Sequence, residues 1–368
     1  MIQFDEIIKK FQVEGEVSEV KPLGQGKVNH TYEVVCGGVH YVLQEINHII
    51  FKYPVDVMNN LFLVTEYLKN QLSDGESDPH KGTLTFIRTV HDNELLQTES
   101  GNYYRLYRMV EHGDEMQKPS SEKEAYEAAA AVGSFQHLLI GFPVHQLSTT
   151  FPRMHSMKDV MHALLDAVRG DICSRTSNCQ EQIRFVLDRS DELYRIDGAL
   201  SSGMIPRRVV HNDAGYTNVL YDEKTQHSVC MIDLDTVMPG CSLYDFGETV
   251  RTGAASVSDL DKSGDVEISL SMFRAAAEGY LYYMNRHLTA KEKELMVYAC
   301  WLITMEKGIT YLTDYLNGDM FSYDFSDEKQ NLYRAVNQFF LVLDMEDKKE
   351  QMEQIIKEVL MSAPTGFY

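Results

Sequence analysis

The hydrophobic residues of this chain change period once, near residue 110, and that change limits the folds open to it. Upstream, Glu16–Leu23, Thr31–Val35 and Val39–Ile46 are rich in β-branched and aromatic residues, as strands are. Cys36-Gly37-Gly38 joins the second run to the third as a hairpin turn. Pro54–Leu68 then takes helical spacing, with Val57, Met58, Leu61, Phe62, Val64 and Leu68 on one side and Pro54 suited to the first turn. Strands return around Thr83–Thr89 and Asn102–Met109, separated by the polar turn Thr98–Gly101. Beyond Val110 the pattern is helical: Glu122–Ile140, Met157–Arg169, Cys179–Ile196, and again from about Ile268 onward. Only short β runs interrupt it, at Arg208–Val210, Val219–Tyr221 and Val229–Ile232. The pattern predicts an α+β fold in two lobes. Residues 1–110 form a small β-rich lobe of five strands with one main helix, and 111–368 a large, mostly helical one. The polar stretch Glu111–Ser121 is the expected hinge.

Charge narrows the partners. Lys and Arg total 34 against 55 Asp and Glu, a formal charge of −21, and no basic run offsets it. Such a surface repels nucleic acid and anionic membrane, so neither is an expected partner. A nucleotide site in this chain must bring its own positive charge, from a metal ion and from backbone N–H groups. The longest apolar runs fall well short of the roughly 20 residues of a membrane helix. Cys36, Cys173, Cys179, Cys230, Cys241 and Cys300 form no CxxC pair, and the N-terminal residues do not read as a signal peptide, so reduced thiols and a cytoplasmic location are expected. Oligomeric state is not legible.

The stretch from His211 to Asp235 carries chemistry. It reads His211-Asn-Asp213-Ala-Gly-Tyr-Thr-Asn218, then the strand Val219–Tyr221, then Met231-Ile-Asp233-Leu-Asp235. Phosphoryl transfer asks for a carboxylate that orients and deprotonates the acceptor hydroxyl, and for oxygen ligands that hold Mg²⁺ on the phosphates. Asp213 meets the first need. The Asn218 side-chain oxygen, five residues on across a tight loop, meets part of the second, and Asp233, at the end of the next strand, supplies a hard carboxylate. Each residue alone is more often a cap or a loop hydrogen bonder; the ordered set is far less common by chance. Asp245-Phe-Gly247 imitates a metal-binding triplet but lies too far past Asn218 for one hairpin, so Asp245 is expected to open the next helix. Asp235 either supports the metal or caps a turn. In the first lobe, Gly24-Gln-Gly26 between two strands can cover phosphates, because glycine lets the backbone approach and leaves N–H groups available.

These residues, with Leu23–Tyr32, Tyr41–Asn47, Tyr104–Glu111, Ile232–Pro239, Asp245–Thr252 and Leu312–Asp319, resemble the aminoglycoside phosphotransferase and choline kinase superfamily over nearly the whole length. Within it the chain is most similar to the N-acetylhexosamine 1-kinase group. The resemblance implies a bilobal, protein-kinase-like fold, ATP and Mg²⁺ as cofactors, and transfer of the γ-phosphoryl group to a sugar, at its anomeric hydroxyl. It further implies Asp213 as catalytic base, Asn218 and Asp233 on Mg²⁺, Asn29 and Thr31 with the glycine loop on the phosphates, and Arg108, Met109 and Val110 beside adenine.

The chain departs from that pattern in three places. Gln44 stands on the third strand where kinase-like lobes carry a phosphate-contacting Lys, and a Gln there resembles what the sugar-kinase group itself carries. Thr310 stands where an Arg is expected, and Phe321 where a Tyr is expected, both in a stretch read as contacting the sugar. Losing a charged donor and a hydroxyl would leave sugar groups unpaired, so the acceptor identity stays open. His155 is either a hydroxyl contact or a structural residue. Two other readings stand beside the sugar kinase: a choline- or aminoglycoside-type kinase of the same fold, and a catalytically silent nucleotide-binding protein.

Overall fold

The computed structural model describes residues 2–24, 28–72, 82–110, 118–222, 224–225, 227–262, 264, 266–320 and 327–362. The chain divides into two compact units. The first comprises Met1–Glu115, Gly141–Thr150 and Val219–Pro239; the second comprises Met116–Ile140, Phe151–Asn218 and Gly240–Tyr368. Two segments far along the chain thus pack with the N-terminal strands.

In the first unit, helix α1 (Ile2–Ile8) precedes strands β1 (Val17–Pro22), β2 (His30–Cys36) and β3 (Val39–Ile46). Helix α2 (Pro54–Leu72) follows, then β4 (Thr85–Ile87), β5 (Leu96–Gln97) and β6 (Tyr103–Arg108). The sheet has six strands in the order β1-β2-β3-β6-β4, with β5 added along β6; the sequence pattern had offered five. β5 escaped notice because two residues are too few to show a period. Alternation sorts the two faces. Val34, Cys36, Tyr41, Leu43, Tyr104 and Leu106 point one way and bury themselves against Ile7, Ile8 and Phe11. Gln44 and Arg105 take the opposite parity. On α2, buried Asn60 donates from Nδ2 to the carbonyls of Ser148 (2.8 Å) and Val237 (3.0 Å) and accepts from the Ser148 amide at 2.9 Å. One side chain thereby ties both distant segments into this unit, its hydrogen-bonding capacity satisfied in the interior.

The second unit is helical. Ser121 caps α3 (Glu122–Leu138), accepting from the Glu124 amide. Next come α4 (Met157–Gly170), α5 (Gln180–Leu187), α6 (Arg195–Ser201), α7 (Ser242–Gly253), α8 (Leu270–Met284), α9 (Ala290–Glu294), α10 (Met296–Leu316), α11 (Gln330–Asp347) and α12 (Lys349–Ser362). The single helix expected over Cys179–Ile196 is broken after Leu187. There Arg189 turns to Glu346 with Nε at 2.8 Å and Nη2 at 2.7 Å and stacks on Phe185, a tertiary anchor that overrides local helix preference. α3 and α8 approach closely because each presents a glycine. A Cβ on Gly133 would stand 2.7 Å from the Tyr280 carbonyl oxygen, and one on Gly279 would stand 2.2 Å from that of Tyr126. α7 is almost entirely buried, and α10 is largely enclosed, with Met296, Ala299, Cys300, Ile303, Met305, Ile309 and Leu312 all buried. Among the described residues, no helix is long and apolar enough to cross a membrane.

Candidate active site

In the second unit a short strand, Arg208–Val210, delivers the chain to His211-Asn-Asp213. Asp245, in the first turn of α7, fixes that delivery. Its carboxylate accepts from the His211 amide at 2.9 Å, the Asn212 amide at 2.7 Å and the Gln136 side chain at 2.7 Å. Asp245 is completely buried, and burial pushes its pKa up against the opposing pull of His211 and these donors. Its oxygens are occupied by the protein, as suits a residue opening a helix rather than a ligand of an ion. Asn212 then takes φ +68°, a left-handed conformation that Asn tolerates better than most residues. The chain turns there, and Asp213 follows with its side chain 41% exposed.

The loop after Asp213 closes on itself. The Asn218 amide nitrogen donates to the Asp213 carbonyl at 2.8 Å and approaches its carboxylate at 3.5 Å. The Asn218 backbone N–H meets the Gly215 carbonyl at 3.0 Å, and Thr249 of α7 donates to the Ala214 carbonyl at 2.8 Å. The Asn218 amide is thus bonded within the loop through its nitrogen.

His155 lies buried behind this loop. Its Nδ1 meets Glu306 at 2.7 Å and its Nε2 meets the Asn212 carbonyl at 3.2 Å. Both ring nitrogens are engaged within the protein, so the imidazole braces the backbone just ahead of Asp213. Burial alone would lower the His155 pKa, but the Glu306 carboxylate outweighs it and raises it. For Glu306, burial is likewise outweighed and the pKa is lowered, so the pair is ionic. Thr310 is exposed on α10, and its hydroxyl donates to the Glu306 carbonyl at 2.8 Å. Phe321 lies outside the described residues.

In the first unit, Gly24 follows β1 with φ +66°, and Gly26 lies outside the described residues. Across the sheet, Thr31, Gln44 and Arg105 stand directly opposite one another on β2, β3 and β6. They form a hydrogen-bonded row. Gln44 donates to the Thr31 hydroxyl at 3.2 Å and accepts from Arg105 Nε at 2.8 Å. The terminal nitrogens of Arg105 both reach Asp235, Nη2 to Oδ2 at 2.8 Å. Asn29 completes the group, donating to Asp235 at 3.0 Å and accepting from the Asn47 amide at 3.0 Å. Asp235 outweighs burial and keeps Arg105 charged. Asp235, expected either to support the metal or to cap a turn, has Arg105 as its partner. Asp235 lies in the short turn Leu234–Thr236, which Asp233 opens in a left-handed conformation, φ +56° and ψ +49°, with its side chain exposed. Arg108 ends β6 and Met109 and Val110 follow it; Arg108 is exposed, Val110 is buried, and the Met109 amide donates to the His40 carbonyl at 3.0 Å.

The family model described as the phosphotransferase enzyme family (APH) matches residues 83–275, more than half of the chain. The chain belongs to that family. Solved structures agree on its fold, with a β-sheet N-terminal lobe and a larger helical C-terminal lobe. A microcompartment-associated aminopropanol kinase aligns over 96% of this chain and 98% of its own, with TM-score 0.66 and 15% identity. An aminoglycoside phosphotransferase from Alicyclobacillus acidocaldarius covers 94% and 95%, with TM-score 0.58 and 13% identity. Spectinomycin phosphotransferase APH(9)-Ia, solved with ADP and spectinomycin, covers 98% of both chains, with TM-score 0.54 and 14% identity.

Two charged residues of this phosphotransferase escaped the sequence reading. Arg105 sits in the alternation Tyr104-Arg-Leu106, where a cation on the face opposite two core residues was a legible signal. Its adjacency to Gln44 was not legible, because register between β3 and β6 is tertiary. The other is Lys307 on α10, whose ammonium lies 3.8 Å from Asp213. Nothing in its local sequence sets it apart from a solvated helix charge.

Proposed function

We propose that the protein is an ATP-dependent small-molecule kinase that transfers the γ-phosphoryl group to a hydroxyl of a sugar, the anomeric hydroxyl of an N-acetylhexosamine or a related sugar. Asp213 accepts the hydrogen bond of the acceptor hydroxyl, orients its oxygen toward the γ-phosphorus, and takes the proton as the new P–O bond forms and the bond to ADP breaks. Asn218, through its side-chain oxygen, and Asp233 are the residues that would hold Mg²⁺, whose charge neutralises the phosphate oxygens. Their chemistry fits, one amide oxygen and one carboxylate, both hard donors. Gly24 and Gly26 with Asn29 and Thr31 hold the phosphates, Gln44 lines the same sheet face, and Arg108, Met109 and Val110 lie beside adenine.

One observation carries the reading: the Asn218 amide donates to Asp213, so a single loop presents a carboxylate and an amide oxygen in fixed relation. Family membership supports the phosphotransferase part, and six unpaired cysteines favour a reducing, cytoplasmic setting. A second reading, an amine-bearing acceptor, draws support from the neighbours named for aminopropanol and aminoglycosides.

The test is ADP release with Mg-ATP over N-acetylhexosamines, free hexoses, choline, amino alcohols and aminoglycosides. Turnover on sugars is the expected result. Turnover confined to amines rejects the sugar, and a melting shift with ATP but turnover on nothing rejects the kinase.

A further inference from the structure

The side chain next to Asp213 is a cation. Lys307 projects from α10 so that its ammonium lies 3.8 Å from Asp213 Oδ1 and 4.0 Å from Glu248 Oε1, with 24% of the side chain exposed. Both separations exceed hydrogen-bond reach. Attraction therefore holds the ammonium in place without spending its three N–H donors on those carboxylates.

The surrounding carboxylates are already committed to other cations. Glu248 receives Arg251 Nε at 2.9 Å and Nη2 at 2.6 Å, a two-toothed pair. Arg251 also reaches Asp259 at 3.0 Å, and Asp259 accepts from the Tyr311 hydroxyl at 2.9 Å. The Arg334 guanidinium covers the Tyr311 ring at 3.7 Å. Glu306, the residue before Lys307, is paired with His155. Among the described residues, Lys307 and Arg251 thus face Asp213, Glu248 and Asp259. Lys307 sets a positive charge beside Asp213 in a chain of net charge −21. An acceptor that brings its own ammonium to Asp213 meets a fixed like charge in Lys307.

We propose that Lys307 determines acceptor specificity: its ammonium donates to an oxygen of a neutral, hydroxyl-rich acceptor held at Asp213 and repels amino alcohols and aminoglycosides. The inference rests on the reading of Asp213 as the residue that orients the acceptor. It assigns to α10 the charged donor that Thr310 does not supply, one turn earlier on the same helix.

The experiment compares the wild-type chain with Lys307→Met, Lys307→Arg and Asp213→Asn in ADP release on a neutral sugar and on an amino alcohol. Lys307→Met is expected to raise the sugar KM roughly ten- to hundred-fold, the range for a lost charge-assisted hydrogen bond, while the ATP KM stays within about two-fold. It is also expected to raise the ratio of amino-alcohol to sugar kcat/KM, a selectivity change that a merely structural lysine would not produce. Lys307→Arg keeps the charge and the wild-type ratio, which separates loss of charge from loss of folding. An unchanged ratio in Lys307→Met, or a wild-type preference for the amino alcohol, overturns the proposal. Full turnover in Asp213→Asn overturns the underlying reading of Asp213 instead, so the two failures are distinguishable.

Discussion

Arg105 grips Asp235 with both of its terminal nitrogens, Nη2 standing 2.8 Å from Oδ2, and both side chains are almost fully buried. Through Nε the same guanidinium holds Gln44, and through Asp235 it holds Asn29. One charge thus organises the strand residue, the loop residue before β2 and the turn that begins at Asp233. The sheet face that lacks a lysine at position 44 has its cation one strand away.

Removing that charge should be costly. Arg105→Met strands the buried Asp235 carboxylate, and losses of about 3–5 kcal/mol are typical when one partner of a buried pair is deleted. Urea denaturation should show the loss, and adding Asp235→Leu should recover part of it. If Arg105→Met unfolds at the wild-type midpoint, the pair does not stabilise this unit.

At the second unit's loop, Asp213→Asn keeps the shape and removes the proposed base. Turnover should fall by roughly 10²–10⁴ with the ATP dissociation constant little changed. Steady-state kinetics and nucleotide titration measure the two quantities separately. Near-normal turnover would take Asp213 out of the reaction.

Asp245 accepts three N–H donors from the protein. Asp245→Asn replaces one acceptor oxygen with a donor that must face one of them. The mismatch should cost about 1–3 kcal/mol of stability, the penalty for a buried unsatisfied group. Because the affected amides belong to His211 and Asn212, kcat should fall in the same variant, which calorimetry and kinetics together would reveal.

His155 and Glu306 make a pH-dependent brace. The His155 pKa is raised above its ordinary 6.5, so its contribution is complete below pH 6.5 and disappears as pH rises through the higher folded value. The Glu306 pKa is lowered below its ordinary 4.5, so its contribution is present above pH 4.5 and disappears as pH falls through the lower folded value. The stability gap between wild type and Glu306→Gln should therefore be widest between about pH 4.5 and 6.5 and narrow above that window. Denaturation curves at a series of pH values would show it; a gap that widens above pH 7 contradicts the ion pair.

A methyl group on Gly279 would collide with the Tyr126 carbonyl oxygen, which is backbone and cannot rotate away. Gly279→Ala should destabilise by about 1–3 kcal/mol despite alanine's better helix propensity, the cost of overpacking. A raised melting temperature in this variant would mean that α3 and α8 separate easily.

The amino-acid sequence by itself determined the kind and order of the elements, because the period of hydrophobic residues and the turn residues between them act over a few positions at a time. β1 to β3, α2 and α3 could all be read in this way, as could the place of Asp245 at the start of a helix. The short β5 and the break after Leu187 could not, one being too brief to carry a period and the other set by Glu346, far along the chain. Tertiary structure alone decided which charges meet. The row Thr31–Gln44–Arg105 depends on strand register, the grip on Asp235 joins residues 130 positions apart, and Lys307 reaches Asp213 from a distant helix. Such pairings follow from packing and from the need of every buried charge for a partner, and neither is written in local spacing.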